Sequence, residues 1–556
     1  MNQQQWWRDA VIYQIYPRSW ADGDGDGMGD LPGITARLPH LAELGVDAVW
    51  LSPFYTSPQH DAGYDVADYR DVDPRFGTLA DFDAMAERAH ELGLRVMVDI
   101  VPNHSSSDHV WFQEALAAEP GSAARARYVF RDGKGENGEE PPNNWLSNFG
   151  GPAWERVTDA DGNPEQWYLH LFDLTQPDFD WTNTEVIDEM EDVLRFWLDR
   201  GADGFRIDVA HGLVKVPGLP DAPAGHEIAD TDRTADFPMW DQPGVHDIYR
   251  RWRKVTDAYA VDGEDADRIL CAEAWVVPAE SLALYVRPDE LHQSFNFAFL
   301  MSPWIATEMR QVIEASLAAV ADIGAPQTWV LSNHDVVRHA SRLGYDPVPG
   351  RLRMSGIGAD DPQPDAEVGL RRARAATTVM LALPGSAYVY QGEELGLPEA
   401  TELPDEVRED PTWEKSGNTS RGRDGCRVPM PWEGDAPSYG FGPSPDSWLP
   451  QPKAYGELAV DRQVGVEGST LELYRTLLRL RRAHRLGRGK LTWVDLGEDL
   501  LAFDITTESG AAVRVIANTG RDFAQLPRGS EVLVATEDID ITKGLPADCA
   551  VWLQGV

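Results

Sequence analysis

The chain has 556 residues, more than one hydrophobic core usually supports, so two or three domains are expected. Apolar residues make up 42% of the sequence, which argues against a disordered chain. The 49 Lys and Arg residues against 92 Asp and Glu residues give a formal charge of −43. This charge disfavours nucleic acid and anionic membranes as partners, although a well-solvated surface explains it equally well.

The cysteine content and the N-terminus indicate the compartment. Cys271, Cys426 and Cys549 are an odd number at wide spacing, which gives neither a disulfide framework nor a metal-binding pattern. The N-terminus has no basic region followed by an apolar one, and no apolar run approaches membrane-spanning length. We therefore expect a cytoplasmic protein with reduced thiols.

Strands alternate with helices through the first 390 or so residues, and glycines often separate a helix from the next strand. Ile34, Leu38, Leu41 and Leu44 form one such helical stripe before Gly45. Eight strands are predicted, at 10–17, 48–53, 95–101, 204–210, 269–275, 293–299, 328–332 and 386–391. This alternation favours a (β/α)8 TIM barrel with insertions over an open doubly wound sheet.

Three other regions depart from this alternation. Residues 105–173 have weak periodicity and are predicted to form a small subdomain inserted after strand three. Residues 397–451 are rich in Pro, Gly and Asp and are predicted to form a long insertion after strand eight, near the site. Short alternating apolar runs after residue 486 predict an antiparallel β domain. The expected domains are a barrel at 1–104 and 174–486, the subdomain at 105–173, and a C-terminal β-sandwich at 487–556.

Acidic side chains follow several predicted strands. In Gly-Phe-Arg-Ile-Asp-Val-Ala at 204–210, Arg206 and Asp208 are two residues apart and face the same side of a strand. A structural ion pair is the simplest interpretation of these two residues. However, Glu273 and Asp335 also follow strands, and a pair of carboxyl groups is the usual apparatus of glycoside hydrolysis. Three acids at strand ends therefore favour an active site at the mouth of the barrel.

An acidic loop near the N-terminus alternates acids with glycines. Its sequence is Asp22-Gly-Asp24-Gly-Asp26-Gly-Met28-Gly-Asp30. This spacing allows a loop to wrap around a hard cation, as calcium loops do, whereas the simpler alternative is a flexible acidic turn. We expect a structural metal that supports the fold.

Five motifs resemble those of one family, in that family's order. They are Asp99-Ile-Val-Pro-Asn-His104, Gln176-Pro-Asp-Phe-Asp180, Gly204-Phe-Arg-Ile-Asp208-Val-Ala, Glu273-Ala-Trp and Leu331-Ser-Asn-His-Asp335. With these motifs the chain resembles the α-amylase family of retaining glycosidases (glycoside hydrolase family 13), in its oligo-1,6-glucosidase and α-glucosidase branch. The resemblance covers nearly the whole chain.

The resemblance implies roles for the strand-end residues. Asp208 would be the nucleophile that forms a covalent glucosyl intermediate, and Arg206 would keep it ionised. Glu273 would protonate the leaving oxygen and then activate water. Asp335 would hold sugar hydroxyls and stabilise the distorted transition state.

The resemblance also implies a substrate pocket and a metal. Tyr64 would stack under the terminal glucose, His104 and His334 would donate hydrogen bonds to it, and Asp61 with Arg427 would close the end of the pocket. A closed pocket implies cleavage from the non-reducing end. The family's similar acidic loop binds Ca2+ or Mg2+, which implies a structural ion on Asp22, Asp24, Asp26, Asp30 and the Met28 carbonyl.

The preferred substrate stays open at this point. Val209 resembles the residue at this position in the α-1,6 type of the branch. However, the neighbouring residues differ from the sequence that is usual in oligo-1,6-glucosidases. We expect an α-glucosidase acting on short α-1,4 and α-1,6 oligosaccharides. Sucrose hydrolysis and glucosyl transfer are alternatives, because one covalent intermediate serves any acceptor. An isomerase that converts maltose to trehalose and a non-catalytic binding module are further alternatives.

Overall fold

The computed structural model describes residues 5–159, 161–223, 237–260, 267–349, 356–507 and 510–555. Eight parallel strands close into a barrel in which each strand pairs with the next along the chain and the eighth pairs with the first. The strands are β1 (Val11–Ile15), β2 (Ala48–Leu51), β3 (Arg95–Ile100), β4 (Gly204–Ile207), β5 (Ile269–Ala272), β6 (Gln293–Asn296), β7 (Thr328–Val330) and β8 (Ser386–Tyr390). Val11 lies opposite Ala387 where the barrel closes, which confirms the predicted fold.

Helices surround the barrel and cover its strands. The main ones are α1 (Leu31–Leu44), α2 (Leu79–Glu91), α3 (Thr184–Asp199), α4 (Val245–Asp257), α5 (Ala279–Ala283), α6 (Ala306–Ala321), α7 (Ala366–Met380) and α8 (Thr470–His484). Other helices are Val110–Ala117, Phe297–Leu300, His339–Arg342, Pro411–Lys415, Ala454–Leu458 and Val460–Gln463. Since the strands are covered by these helices, nearly all their residues are buried, as the continuous apolar runs predict.

The fourth strand is shorter than its sequence indicates. It ends at Ile207 rather than Ala210, so Asp208 follows the strand. The reason is local, because Val209 has φ = 46°, a left-handed conformation that a β-branched residue rarely adopts. The chain therefore turns out of the barrel immediately after Asp208.

The region inserted after β3 contains a small antiparallel sheet. Its strands are Phe130–Arg131, Trp154–Thr158 and Pro164–Leu169, with the last strand in the middle. Lys215, from the loop after β4, donates to Asn103 Oδ1 at 2.9 Å and forms an ion pair with Asp178 Oδ2 at 2.8 Å. This buried contact fastens the loop after β4 to the two chain segments that flank the inserted region.

The C-terminal strands form one five-stranded antiparallel sheet. They are β9 (Lys490–Trp493), β10 (Leu500–Thr506), β11 (Ala512–Asn518), β12 (Glu531–Ala535) and β13 (Cys549–Gln554), in the order β9-β10-β11-β13-β12. The Trp552 indole donates to the Thr378 carbonyl at 2.9 Å, which fastens the sheet to α7. The described residues contain one sheet here, and the second sheet of the predicted sandwich is not among them. The predicted domain boundaries stay a prediction.

Within the described ranges, no helix combines the length and the apolar character needed to cross a bilayer.

Candidate active site

Arg206 is the centre of a buried cluster of carboxylates at the carboxyl ends of the strands. Its Nη1 atom lies 2.6 Å from Asp208 Oδ1 and 2.9 Å from Asp99 Oδ1, and its Nη2 atom lies 2.8 Å from Glu273 Oε2. One guanidinium therefore bridges Asp208 and Glu273. Glu273 also accepts hydrogen bonds from the Val209 amide at 3.0 Å and the Trp275 indole at 3.2 Å.

The third predicted acid, Asp335, lies on the more exposed side of the cluster. Its side chain is 26% exposed, against 9% for Asp208 and 13% for Glu273. Asp335 Oδ1 accepts from Arg423 at 3.0 Å and from Arg427 at 3.1 Å. The three acids thus lie at the same end of the barrel, and Asp335 pairs with two arginines of its own, Arg423 and Arg427.

Tyr64 and His334 connect these two groups of charges. The Tyr64 hydroxyl lies 2.7 Å from His334 Nε2 and donates to Asp99 Oδ2 at 3.1 Å. Their rings stack with centroids 5.3 Å apart and planes 3° from parallel. His334 Nε2 also lies 3.3 Å from Asp335 Oδ2, and its Nδ1 lies 2.6 Å from the Gln14 amide nitrogen. The site is therefore one continuous polar network.

The closed end of the site differs from the arrangement expected from sequence. The ion pair to Asp61 comes from Arg423, whose Nη2 atom lies 2.7 Å from Asp61 Oδ1. Arg427 donates to the His334 carbonyl at 2.8 Å and pairs with Asp335. Arg423 also pairs with buried Asp410, so one guanidinium links three carboxylates. The sequence does not single out Arg423, because Arg421 and Arg427 lie close to it in the chain and its pairing with Asp61 spans 362 residues.

His104 is buried beside the same end of the site. Its Nε2 atom lies 3.1 Å from the Tyr64 carbonyl oxygen and 3.2 Å from the Gln176 amide nitrogen. Gln176 donates to Asp61 Oδ2 at 3.1 Å, so it connects His104 to the Asp61–Arg423 pair. Gln176 belongs to a motif noted in the sequence, although it was not assigned a role there.

Burial and neighbouring charges shift the pKa values of these carboxyls in opposite directions. Burial raises the pKa of Asp99 to about 7, and Arg206 only partly offsets it. Burial also raises the pKa of Asp208 well above its usual range, against Arg206 and reinforced by Glu273. Asp99 and Asp208 share one guanidinium with Glu273, so the raised pKa values of Asp99 and Asp208 favour a shared proton in this cluster.

The opposite shift occurs at Asp335. Burial favours its neutral form, but the neighbouring His334, Arg423 and Arg427 outweigh burial and lower the pKa of Asp335 below its usual range. Burial lowers the pKa of His104 to about 4, so its imidazole is neutral at pH 7. The same end of the barrel thus combines a carboxyl group whose pKa is lowered, Asp335, with two whose pKa values are raised, Asp99 and Asp208.

The acidic loop precedes α1 and packs against the insertion after β8. Carboxylate oxygens of Asp22, Asp24 and Asp30 lie within 4.8 Å of one another. A Cβ atom at position 23 would lie 2.8 Å from Asp30 Oδ1, so glycine permits this close approach. Asp26 instead accepts from the Met28 amide at 2.8 Å. Three converging carboxylates fit the oxygen ligands that Ca2+ and Mg2+ prefer.

Comparison with known proteins identifies the family. The profile of the alpha-amylase catalytic domain matches residues 14–489. A relative named probable alpha-glucosidase, from Rhizobium meliloti (strain 1021), is 40% identical over 512 residues, which are 90% of this chain and 86% of that protein. The oligo-1,6-glucosidase of Parageobacillus thermoglucosidasius is 35% identical over 513 residues, or 86% of this chain and 84% of that one.

Solved structures agree with these relatives. The alpha-glucosyl transfer enzyme XgtA superposes with a TM-score of 0.83 at 36% identity, covering all of both chains. The trehalulose synthase MutB from Pseudomonas mesoacidophila MX-45 gives a TM-score of 0.83 at 30% identity, covering 99% of each chain. The strand-end acids, the closed barrel and the matched profile therefore lead to one conclusion: this chain belongs to the alpha-amylase family, glycoside hydrolase family 13.

Proposed function

We propose that this protein is an exo-acting, retaining α-glucosidase that removes terminal α-linked glucose from short oligosaccharides. The observation that carries the proposal is the placement of Asp208 and Glu273 on the two arms of the Arg206 guanidinium. Two carboxyl groups held this close suit a double displacement, in which they are about 5 Å apart, rather than inversion, which needs room for a water between them.

The reaction follows from these positions. Asp208 attacks the anomeric carbon while the bond to the leaving oxygen breaks, and Glu273 gives that oxygen its proton. Water then attacks the glucosyl ester, returns a proton to Glu273 and releases Asp208 as a carboxylate. Asp335, kept ionised by two arginines, would accept hydrogen bonds from ring hydroxyls and favour the distorted sugar. Arg206 balances charge as Asp208 is consumed and restored.

The position of the Asp61–Arg423 ion pair supports exo action. Both side chains are largely buried, at 5% and 18% exposed, and they link to Asp335 and to His104 through Gln176. A charged barrier at this end would accept the hydroxyls of one terminal glucose and stop a longer chain from passing through. Tyr64 and His334 would bind the same glucose.

The test is to supply the full chain with maltose, isomaltose, sucrose, maltotetraose and soluble starch, and to resolve the products by chromatography. We expect free glucose from the short substrates, initially as the α-anomer, with starch untouched. The ratio of maltose to isomaltose turnover then shows whether the protein has the α-1,6 preference that Val209 resembles. Starch depolymerisation would contradict the closed pocket, and the absence of any glucose would contradict hydrolysis.

Glucosyl transfer is the second candidate, and the likeness to XgtA favours it. In transfer, an acceptor hydroxyl replaces water at the second step, with the same residues in the same roles. Adding a non-sugar alcohol to the maltose assay separates the two. Each transfer from maltose yields one glucosylated alcohol and one free glucose, whereas each hydrolysis yields two free glucose molecules. A ratio of glucosylated alcohol to free glucose that approaches one would therefore establish transfer as the main reaction.

We further propose a structural Ca2+ or Mg2+ ion in the acidic loop, on Asp22, Asp24 and Asp30, with Asp26 and the Met28 carbonyl completing the loop. Such an ion would neutralise converging carboxylates and hold the start of α1. A cytoplasmic location is also proposed, because Cys271, Cys426 and Cys549 are all buried and free.

A further inference from the structure

Trp275 lies two residues after the proton donor Glu273 and contacts it directly. It is the last residue of the Glu273-Ala-Trp motif, and the sequence alone assigns it no role. Its indole Nε1 donates a hydrogen bond to Glu273 Oε1 at 3.2 Å. An uncharged donor is therefore placed on the side chain that has to deliver a proton in the proposed reaction.

The two carboxyl oxygens of Glu273 have different partners. Oε2 lies 2.8 Å from Arg206 Nη2 and accepts from the Val209 amide at 3.0 Å. Oε1 accepts from the Trp275 indole. A proton on Oε2 would face a permanent positive charge and two N–H groups, whereas a proton on Oε1 would leave a lone pair for one neutral donor. The exchangeable proton of Glu273 therefore belongs on Oε1.

The main chain at Glu273 is fixed, so the remaining freedom lies in its side chain. The Glu273 amide donates to the Ile207 carbonyl at 2.9 Å, and the Glu273 carbonyl accepts from the Ala210 amide at 2.8 Å. The last torsion of a glutamate side chain has a broad energy minimum. Partners on Oε2 alone would leave the carboxyl plane free to tilt. The indole at Oε1 fixes that plane.

Phe297 holds the indole in place. The rings of Trp275 and Phe297 stack with centroids 4.0 Å apart and planes 14° from parallel. Phe297 directly follows β6 and is 5% exposed. It packs against Phe295 at 5.7 Å, and Phe295 packs edge-to-face against Tyr388 of β8 at 4.7 Å. The position of the indole is therefore supported from the interior of the barrel.

A stacking platform for a sugar is the simpler role for an aromatic side chain in a sugar-binding site. One face of the Trp275 ring is already covered by Phe297, and its N–H group is directed at Glu273. A platform needs only the ring, whereas positioning of the carboxyl group needs the N–H group. Trp275→Phe keeps an aromatic ring and removes the donor, so it separates the two roles.

We propose that Trp275 is a positioning residue for proton transfer: its indole fixes the Glu273 carboxyl group so that Oε1 carries the proton to the leaving oxygen. This inference rests on the proposed retaining mechanism. In the first step Asp208 bonds to the anomeric carbon, the electron pair of the glycosidic bond moves to the leaving oxygen, and the Oε1 proton neutralises that oxygen. Misdirection of Oε1 slows this step most when the leaving group depends most on the proton.

The experiment compares substrates that differ in their need for a proton. The full chain is supplied with phenyl α-glucoside, p-nitrophenyl α-glucoside and α-glucosyl fluoride, and kcat/KM, which reports formation of the glucosyl-enzyme, is measured for each. Phenoxide is a poorer leaving group than p-nitrophenoxide, and fluoride departs with little help from an acid. The two aryl groups are similar in size, so loss of a stacking platform would slow both equally.

We expect Trp275→Phe to lower kcat/KM by about tenfold for the phenyl glucoside and about threefold for the p-nitrophenyl glucoside. The value for glucosyl fluoride should stay within about twofold, which also checks that the variant is folded. These losses are part of the about 10²- to 10⁴-fold that a general acid contributes. Phe297→Leu keeps the N–H group but removes its support, so it should give the same order of losses at smaller size.

The matched control is Trp167→Phe, which removes an indole donor to the Gly138 carbonyl at 3.0 Å in the inserted region. It should leave all three values within about twofold. Equal losses for the two aryl glucosides in Trp275→Phe, or no loss for either, would overturn the positioning role and leave the proposed function standing. If Trp275→Phe did not fold, the order of losses in Phe297→Leu would decide. A parent chain that turned over none of the three substrates would contradict the proposed function, and this inference with it.

Discussion

The two ends of the barrel carry different arrangements of charged side chains. At the carboxyl ends of the strands, three carboxylates surround the single guanidinium of Arg206. At the amino ends, five arginines line a pocket with Asp9 and Asp47, and each of these arginines has a partner in the structure. Crowded carboxylates raise one another's pKa values, whereas arginines that each have an acceptor keep their charge. The comparison indicates that the local arrangement of charges, rather than the net charge of −43, distinguishes the two ends.

The largest expected effect comes from removing a carboxylate at the mouth. Asp208→Asn should lower kcat by about 10⁵-fold, because the amide cannot form the glucosyl ester. Glucose release from maltose measures the loss, and circular dichroism checks the fold. Asp247→Asn, at a position 83% exposed on α4, is the matched control and should retain full activity. Normal turnover by the Asp208 variant would refute the assigned nucleophile.

A smaller effect is expected at the cation of the closed end. Arg423→Gln leaves Asp61 and Asp410 without their main counter-charge and should lower kcat/KM for maltose by about 30-fold, equivalent to about 2 kcal/mol. The control is Arg421→Gln, two residues earlier in the chain. Arg421 pairs with exposed Asp405, so its replacement should change kcat/KM little. Equal effects of the two substitutions would mean that Arg423 has no special part in binding glucose.

The shared proton gives a prediction about pH. Asp208 must be ionised to attack, so the acid limb of kcat/KM should lie above the usual range of an aspartate. Asp99→Asn removes one negative charge and frees more of the Arg206 charge for Asp208. Both changes lower the pKa of Asp208, so the acid limb should move to lower pH. A limb that stays in place or moves upward would contradict the shared-proton account.

The smallest effect should come from the acidic loop. Removal of divalent cations with EDTA should lower Tm by about 3 °C, and added Ca2+ should restore it. In the Asp22→Asn and Asp24→Asn double variant, Tm should no longer respond to either treatment. If EDTA left Tm of the parent chain unchanged, the proposed metal site would be wrong.

Much of the barrel and part of the site could be predicted from sequence because their signals are local. The eight strands are short apolar runs. Asp208 and Glu273 directly follow two of them, and Asp335 lies in the loop after a third. The Asp61–Arg423 pair and the Lys215–Asp178 contact could not be predicted this way. They join loops that are distant along the chain, and nothing in either segment specifies its partner.

The pocket at the amino end illustrates a different limit. Its arginines are visible as a basic segment, but a basic helix in an acidic chain is most simply a solvated face. Only the folded arrangement, which brings Arg95 next to the end of α8, turns the segment into a cavity wall. Conversely, the early end of β4 depends on one backbone angle at Val209, which side-chain patterns do not reveal.

That angle constrains how this enzyme can change. Val209 occupies the position that resembles a linkage determinant, and its left-handed backbone also directs its amide to Glu273 Oε2 at 3.0 Å. Under the proposed function, a new side chain at 209 would affect substrate choice and, through the backbone, the hydrogen bond that positions Glu273. A replacement of Val209 that changes the preferred linkage would have to preserve this strained turn, so few side chains are acceptable there. Linkage selectivity should therefore evolve more readily through the surrounding loops.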